Sequence, residues 1–255
     1  MLPPRPYLRE ISLKRDKISD PARYPFCIPA IRCLEKIEFA ADVTFLVGEN
    51  GTGKSTLLEA MAVALGFNAE GGSKNFRFET RASHSGLHAC LGLVRSWRRP
   101  RDGYFLRAES FYNVATEIER LDEEPAGGPP VRDSYGGLSL HDQSHGESFL
   151  ALMLHRFRGQ GLYILDEPEA ALSPKRQFLM LRRMRQLVQL ESQFVAATHS
   201  PILLAYPNAR ILLLDERGYR PVAYRDTEHF QLTRRFLDDP DEMLNVVFRD
   251  EDGLL

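Results

Sequence analysis

The sequence predicts an α/β fold, with a mostly parallel central sheet flanked by helices, an N-terminal antiparallel β portion and a small helical lobe. Three observations carry this. An apolar run, Val43–Val47, leads into Gly48-Glu49-Asn50-Gly51-Thr52-Gly53-Lys54-Ser55-Thr56, and Leu57, Leu58, Met61 and Leu65 then recur at helical spacing. Three later runs, Leu162–Asp166, Phe194–Thr198 and Arg210–Leu214, are almost continuously apolar, as strands covered on both faces are. With 43% hydrophobic and 27% charged residues in 255, there is material for a sizeable core in one large domain or two small lobes.

The elements follow in order. Leu8–Lys14 alternates apolar and polar residues like a half-buried strand, and a polar, Pro-containing link covers residues 15–29. Ile31–Phe39 reads as a second strand and Val43–Val47 as the one feeding the glycine loop, whose helix ends at Gly66. Residues 68–75 read as a flexible connection. Leu87–Trp97 reads as a strand, Arg98–Gly103 as a hairpin-type turn, and Tyr104–Ala108 as the returning strand. Glu109 to about Glu124 is helical in pattern, residues 125–137 form the longest loop, and a helix runs from Gly146 to about Arg158. Between the last strands, Pro174 to about Glu191 forms a helix with Phe178, Leu181, Met184 and Val188 turned inward. The tail, 226–255, is part helical and acidic at its end.

Bulk properties exclude some functions. No apolar run is long enough to span a membrane, and the N-terminus lacks the apolar core of a secretory signal. The three cysteines, Cys27, Cys33 and Cys90, fit no zinc or redox spacing, so a reduced cytoplasmic protein is expected. Of 33 cationic residues 27 are arginine, but the net charge of −2 gives no overall basic signature of nucleic-acid binding.

The glycine loop carries the first chemistry. Its pattern is G-x-x-x-x-G-K-[ST] between strand and helix, so backbone N–H groups of Asn50, Gly51, Thr52, Gly53, Lys54, Ser55 and Thr56 can converge on phosphate at a helix N-terminus. Lys54 reaches the β- and γ-phosphates, and the Ser55 hydroxyl can ligate Mg²⁺. Leu162–Asp166 ends a strand in an acid, placing Asp166 to hold Mg²⁺, and the adjacent Glu167 can polarise an attacking water. Ala196-Ala197-Thr198-His199 ends another buried strand, and His199 there can bond the γ-phosphate or the water.

These three motifs, in this order, resemble the ABC-type P-loop NTPases, in particular the soluble SMC-like and RecF-like branch and stand-alone AAA-family ATPases. The resemblance covers roughly residues 5–215 and implies ATP with Mg²⁺ as cofactors and a single ATPase domain over 1–255. Within it, about 1–108 would be the β-rich phosphate-loop lobe, 109–158 the helical lobe, and 159–255 the acid-strand part and tail. It also implies a signature element at a helix start, where Ser144-His145-Gly146-Glu147-Ser148 stands, with Ser144 and Gly146 binding the nucleotide of a second subunit. This departs from the commoner Leu-Ser-Gly-Gly-Gln form at His145 and Glu147, and Ser144 with Glu147 is also a capping box. Pro168–Pro174 is similar to the family's D-loop at the dimer interface. Where the family has a Mg²⁺-sensing glutamine loop, Glu109-Ser110 is the nearest match, and Tyr24 or Phe26 takes the place of the adenine-stacking aromatic. Too few residues separate Glu109 from the signature for a coiled-coil arm.

The resemblance therefore implies a homodimer sandwiching two ATP·Mg²⁺, with Glu167, His199 and Lys54 catalytic. Its cargo would be DNA or RNA, as in repair or anti-phage defence. The alternatives are a nucleotide-gated regulator of a partner protein and a transporter ATPase subunit. Nucleic-acid contacts would come from Arg95, Arg98, Arg99 and Arg101 around Trp97, or from Arg182, Arg183 and Arg185.

Overall fold

The computed structural model describes residues 6–74, 85–123 and 129–249. Met1 to Arg5, Pro125, Gly127 and Gly128 of the long loop, and the end of the acidic tail lie outside the described residues.

Two sheets organise the chain. The larger has six strands in the order β5(Asp102–Arg107)-β6(Gly161–Asp166)-β7(Gln193–Ala197)-β3(Val43–Val47)-β8(Arg210–Asp215)-β9(Gly218–Val222). All its pairings are parallel except the β8–β9 hairpin at the edge. β3, β6 and β7 are buried at every residue, because helices cover both faces of the sheet. The smaller sheet is antiparallel, β2(Lys36–Glu38)-β1(Leu8–Leu13)-β4(Leu91–Arg95). Two apolar clusters result, one on each face of the large sheet. Leu46, Phe105 and Ile164 point to the face shared with the small sheet, and their strand neighbours Phe45, Tyr104 and Leu165 to the other, as period-two alternation requires.

The helices alternate with these strands. α1 (Pro29–Arg32) precedes β2, α2 (Lys54–Ala64) follows β3, and α3 (Phe111–Glu123) and α4 (His145–Ala151) lie between β5 and β6. α5 (Pro174–Gln189) and α6 (Pro201–Leu204) flank β7, and α7 (Glu228–Asp238) and α8 (Pro240–Arg249) close the described chain. No helix among the described residues is long and apolar enough to cross a membrane.

Several sequence expectations are corrected. The strand expected over Ile31–Phe39 is only Lys36–Glu38, because Pro29 starts a helical turn that buries Ile31. The first part of Leu87–Trp97 is a 3-10 turn, Gly86–Cys90, and only Leu91–Arg95 is strand. β4 and β5 do not form a hairpin. β4 pairs with β1, whereas β5 joins β6 in the parallel sheet, so Arg98–Gly103 carries the chain from one sheet to the other. The described part of 68–75 is pinned rather than loose, since Gly72 exchanges two backbone hydrogen bonds with Phe105. α4 begins one residue earlier than expected and gives way to a π-turn at Leu152–Arg156. On α5 the buried residues are Gln177, Met180, Met184 and Leu187; Phe178 is 60% exposed, so the inward stripe is rotated from the expected one. The β9 strand was not anticipated.

Candidate functional site

The C-terminal ends of the parallel strands β3, β6 and β7 converge on one edge of the large sheet, the place where open α/β folds bind ligands. β3 delivers the glycine loop there. Gly48, Gly51 and Gly53 all have positive φ, and a Cβ on Gly48 would stand 2.2 Å from the carbonyl oxygen of Leu214 on β8. Only glycine lets the loop pass that close. Thr52 ties the turn by donating from its hydroxyl to the Glu49 carbonyl at 2.8 Å. Lys54, the first residue of α2, is 5% exposed, and its ammonium donates to the carbonyls of Gly48 and Glu49 at 2.7 and 2.8 Å. Burial pushes its pKa down, opposed by Glu167, Asp166, Glu169 and Glu49, so a bound phosphate would find a desolvated cation.

Ser55 and Asp166 meet although 111 residues separate them: the Ser55 hydroxyl donates to Asp166 Oδ1 at 3.0 Å. Burial pushes the Asp166 carboxyl up to about 6, against the Ser55 hydrogen bond and the charge of Arg107. A hydroxyl and a buried carboxylate form a hard-oxygen donor pair that suits Mg²⁺, which takes one or two protein oxygens and completes its shell with phosphate and water.

Glu167 follows at φ +49°, an uncommon conformation for a non-glycine residue. Glu167 Oε1 stands 3.8 Å from His199 Nε2. His199 follows β7, and its backbone N–H donates to Glu169 Oε1 at 2.6 Å, binding the end of β7 to the segment after β6. Lys54, Ser55, Asp166, Glu167 and His199 therefore form one cluster, assembled from three separate strand ends. Tyr24 is exposed and its hydroxyl lies 3.2 Å from Thr56 Oγ1, beside the loop, whereas Phe26 packs against the core.

Ser144 and Gly146 are placed otherwise. Ser144 is the N-cap of α4, and its N–H and hydroxyl both bond Glu147 Oε2, at 3.0 and 2.6 Å. Among the described residues no hydrogen bond joins Ser144 to the phosphate loop. A Cβ on Gly146 would stand 2.5 Å from the Ala171 carbonyl and 2.4 Å from Arg176 Nη1, so glycine is needed there to pack α4 against the 168–174 segment. Arg176 also pairs with Glu147 at 3.2 Å.

Two residues of the site, Arg107 and His229, carry no sequence signal that marked them. Arg107 ends β5 in register with Asp166, its Nε 4.0 Å from Asp166 Oδ2 and its Nη1 2.8 Å from Glu59 Oε2. Arg107 Nη2 pairs with Glu109, so the expected glutamine-loop position holds an Arg–Glu pair. His229, from the first turn of α7, contacts His199. Of the arginines proposed for nucleic acid, Arg183 instead braces the π-turn, donating to the carbonyls of Met153, Leu154 and Phe157.

Two family models match the chain. One, described as "AAA domain", matches residues 28–99. The other, described as "AAA domain, putative AbiEii toxin, Type IV TA system", matches residues 111–205. No curated protein matches. Among solved structures the chain is similar to an inward-facing ABC transporter, with 15% identity over 89% of this chain and 88% of that one, at a TM-score of 0.49. It is similar to the SMC head domain from Thermotoga maritima, with 16% identity over 85% of this chain and 98% of that one, at 0.42. The dimeric bacterial ABC transporter cassette MJ0796 matches with 14% identity over 76% of this chain and 92% of that one, at 0.46.

Proposed function

We propose that the chain is a P-loop ATPase of the ABC/SMC-like type, which hydrolyses ATP in a head-to-tail homodimer and acts on nucleic acid; the two AAA-domain matches support the ATPase part of this reading. The observation that carries the enzymatic reading is the Ser55–Asp166 hydrogen bond, which joins loop and acid strand at one point with Glu167 and His199 alongside. Lys54 and the N–H groups of Asn50 to Thr56 hold the phosphates, and Tyr24 flanks the nucleotide. Ser55 and Asp166 would hold Mg²⁺, which would supply positive charge to offset that of the phosphates. Glu167 takes the proton of the attacking water, and His199 donates to the γ-phosphate. Ser144 and Gly146 close over the nucleotide of the other subunit; within one chain Gly146 packs on Ala171 and Arg176, and Ser144 bonds Glu147. Replacing Glu167 by Gln removes the base while keeping the phosphate contacts. With ATP and Mg²⁺ this variant is expected to run as a dimer in light scattering, and a monomer under those conditions overturns the sandwich.

The nucleic-acid part rests on the turn between β4 and β5. Trp97 is 88% exposed, and among the described residues Arg95, Arg99 and Arg101 have no carboxylate within ion-pair distance. Arg98, by contrast, is neutralised by Glu191 at 2.7 Å. Lys74 lies in the same field: burial pushes its pKa down first, and Arg95 and Arg99 add to that. An aromatic face among unpaired cations suits a single strand, with a base stacked on the ring and phosphates on the guanidinium groups. Binding of a labelled single-stranded oligonucleotide should weaken steeply with salt and be lost in Trp97→Ala. If ATPase rate and binding ignore nucleic acid, the regulator of a partner protein becomes the reading, in keeping with the toxin–antitoxin description of the second family model.

A further inference from the structure

The C-terminal helix α7 reaches back into the site through one residue. His229 Nε2 lies 3.0 Å from His199 Nδ1, with the ring centroids 5.1 Å apart. We propose that His229 is a positioning residue for His199, donating its Nε2–H to His199 Nδ1 and so fixing His199 as the neutral tautomer that carries its proton on Nε2. This rests on the ATPase reading only for the role it gives His199; the hydrogen bond itself does not.

A contact of 3.0 Å between two imidazole nitrogens requires one N–H and one lone pair, so the rings cannot both be cations. The surroundings favour neutrality for both. Burial pushes the pKa of each down, and Lys54 repels a second cation at either ring. His229 also sits in the first turn of α7, where the helix dipole disfavours positive charge. The acids that oppose this are Glu167 towards His199 and Glu228 towards His229, while Glu169 is engaged with the His199 backbone N–H.

Two neutral arrangements then remain, and the outer nitrogen selects between them. Among the described residues, buried His199 Nε2 has no hydrogen-bond partner, and it lies 3.8 Å from Glu167 Oε1. If His199 donated from Nδ1, its Nε2 lone pair would face the Glu167 carboxylate and the place of a γ-phosphate. If His229 donates, Nε2 carries a proton and faces both acceptors as a donor. The second arrangement is electrostatically favoured, and it is the one that can stabilise charge on a transferring phosphoryl group.

The fold holds His229 in place for this. Thr227 caps α7, accepting from the Phe230 N–H at 3.3 Å and donating to the Tyr224 carbonyl at 2.7 Å. Tyr224 in turn packs against Phe230 in a tilted contact, ring centroids 4.8 Å apart, and donates its hydroxyl to the Pro201 carbonyl at 3.0 Å, two residues beyond His199. The first turn of α7 is thus tied to the segment that carries His199.

His229→Leu removes the donor while filling the space, and His229→Gln restores an N–H donor. The Leu variant is expected to lower kcat for ATP by about tenfold with KM changed by less than about twofold, and the Gln variant to recover most of the loss. Nitrogen-15 spectra of histidine-labelled full-length protein at pH 8 should show His199 protonated on Nε2 in the wild type and in the Gln variant, and a mixture of tautomers in the Leu variant. Equal loss of kcat in both variants, or a wild-type His199 protonated on Nδ1, overturns the proposal. Should the wild type itself prove unable to hydrolyse ATP, the enzymatic reading falls, whereas the tautomer measurement needs no turnover and still decides the role of His229.

Discussion

Replacing Asp166 by Asn should stabilise the nucleotide-free protein while removing its response to Mg²⁺·ATP. Asp166 is raised from 3.8 to about 6, chiefly by burial. The folded protein thus binds this proton more tightly than the unfolded chain, and stability falls as pH rises between those two values. Above about pH 6 the loss is complete, and the gap corresponds to about 3 kcal/mol. Asn keeps an oxygen to accept from the Ser55 hydroxyl but gives up the attraction of Arg107, whose Nε stands 4.0 Å from the other oxygen. The net gain at pH 7.5 should therefore be about 1–3 kcal/mol, a rise in Tm of roughly 3–8 °C for a chain of this size. Calorimetry at two pH values isolates the cause. At pH 4.5 wild-type Asp166 is protonated in the folded state, so its penalty is largely relieved and the advantage of Asn should shrink by about 2 kcal/mol. Added Mg²⁺·ATP should raise the Tm of the wild type and leave the variant where it was. A variant that is less stable at pH 7.5, or equally stabilised at both pH values, would refute the reasoning.

Other substitutions test the loop and the α4 junction. Lys54→Ala leaves two loop carbonyls without their ammonium and should weaken ATP binding at least about tenfold by titration calorimetry, with a Tm shift of only a few degrees. Gly48→Ala forces a Cβ against the Leu214 carbonyl at positive φ, and should cost about 1–3 kcal/mol in chemical denaturation and abolish ATP binding. Gly146→Ala should leave ATP binding to the monomer unchanged, yet in the Glu167→Gln background it should shift the dimer to higher protein concentration in sedimentation. It acts by pushing α4 off Ala171 and Arg176.

What was legible in the sequence was whatever is contiguous in it. The glycine loop, the Asp166 strand and the His199 strand each announce themselves by a run of apolar residues ending in a functional side chain, because a strand buried on both faces must be apolar until it emerges at the sheet edge. Turn signals were less informative. Pro100 and Gly103 mark a change of direction between β4 and β5, but a turn does not say which strand the chain pairs with next, and here the two belong to different sheets. The same limit applied to Ile31, where an apolar residue next to a proline fits a strand or a helical turn equally well, and to α5, where Phe178 and Gln177 exchange the places that polarity alone assigns them. Gln177 is buried because it caps local polar groups, its Nε2 donating to the Leu172 carbonyl and its Oε1 accepting from the Ser200 hydroxyl.

Arg107 and His229 show the deeper reason that part of the site escaped. Neither has a neighbour in sequence that explains it. Arg107 acquires meaning only from the β5–β6 register, which sets it directly opposite Asp166. There it is shared among Glu59, Glu109 and Asp166, so its charge is divided before any cation arrives. This sharing predicts a specific order of effects. Glu59→Gln should free Arg107 to swing fully onto Asp166, lowering the Asp166 pKa and strengthening a direct ion pair that Mg²⁺ must then displace. The variant should bind ATP alone as the wild type does but require several-fold more Mg²⁺ for half-maximal turnover. An unchanged Mg²⁺ requirement would mean that Arg107 holds α2 against β5 and leaves the charge at Asp166 untouched.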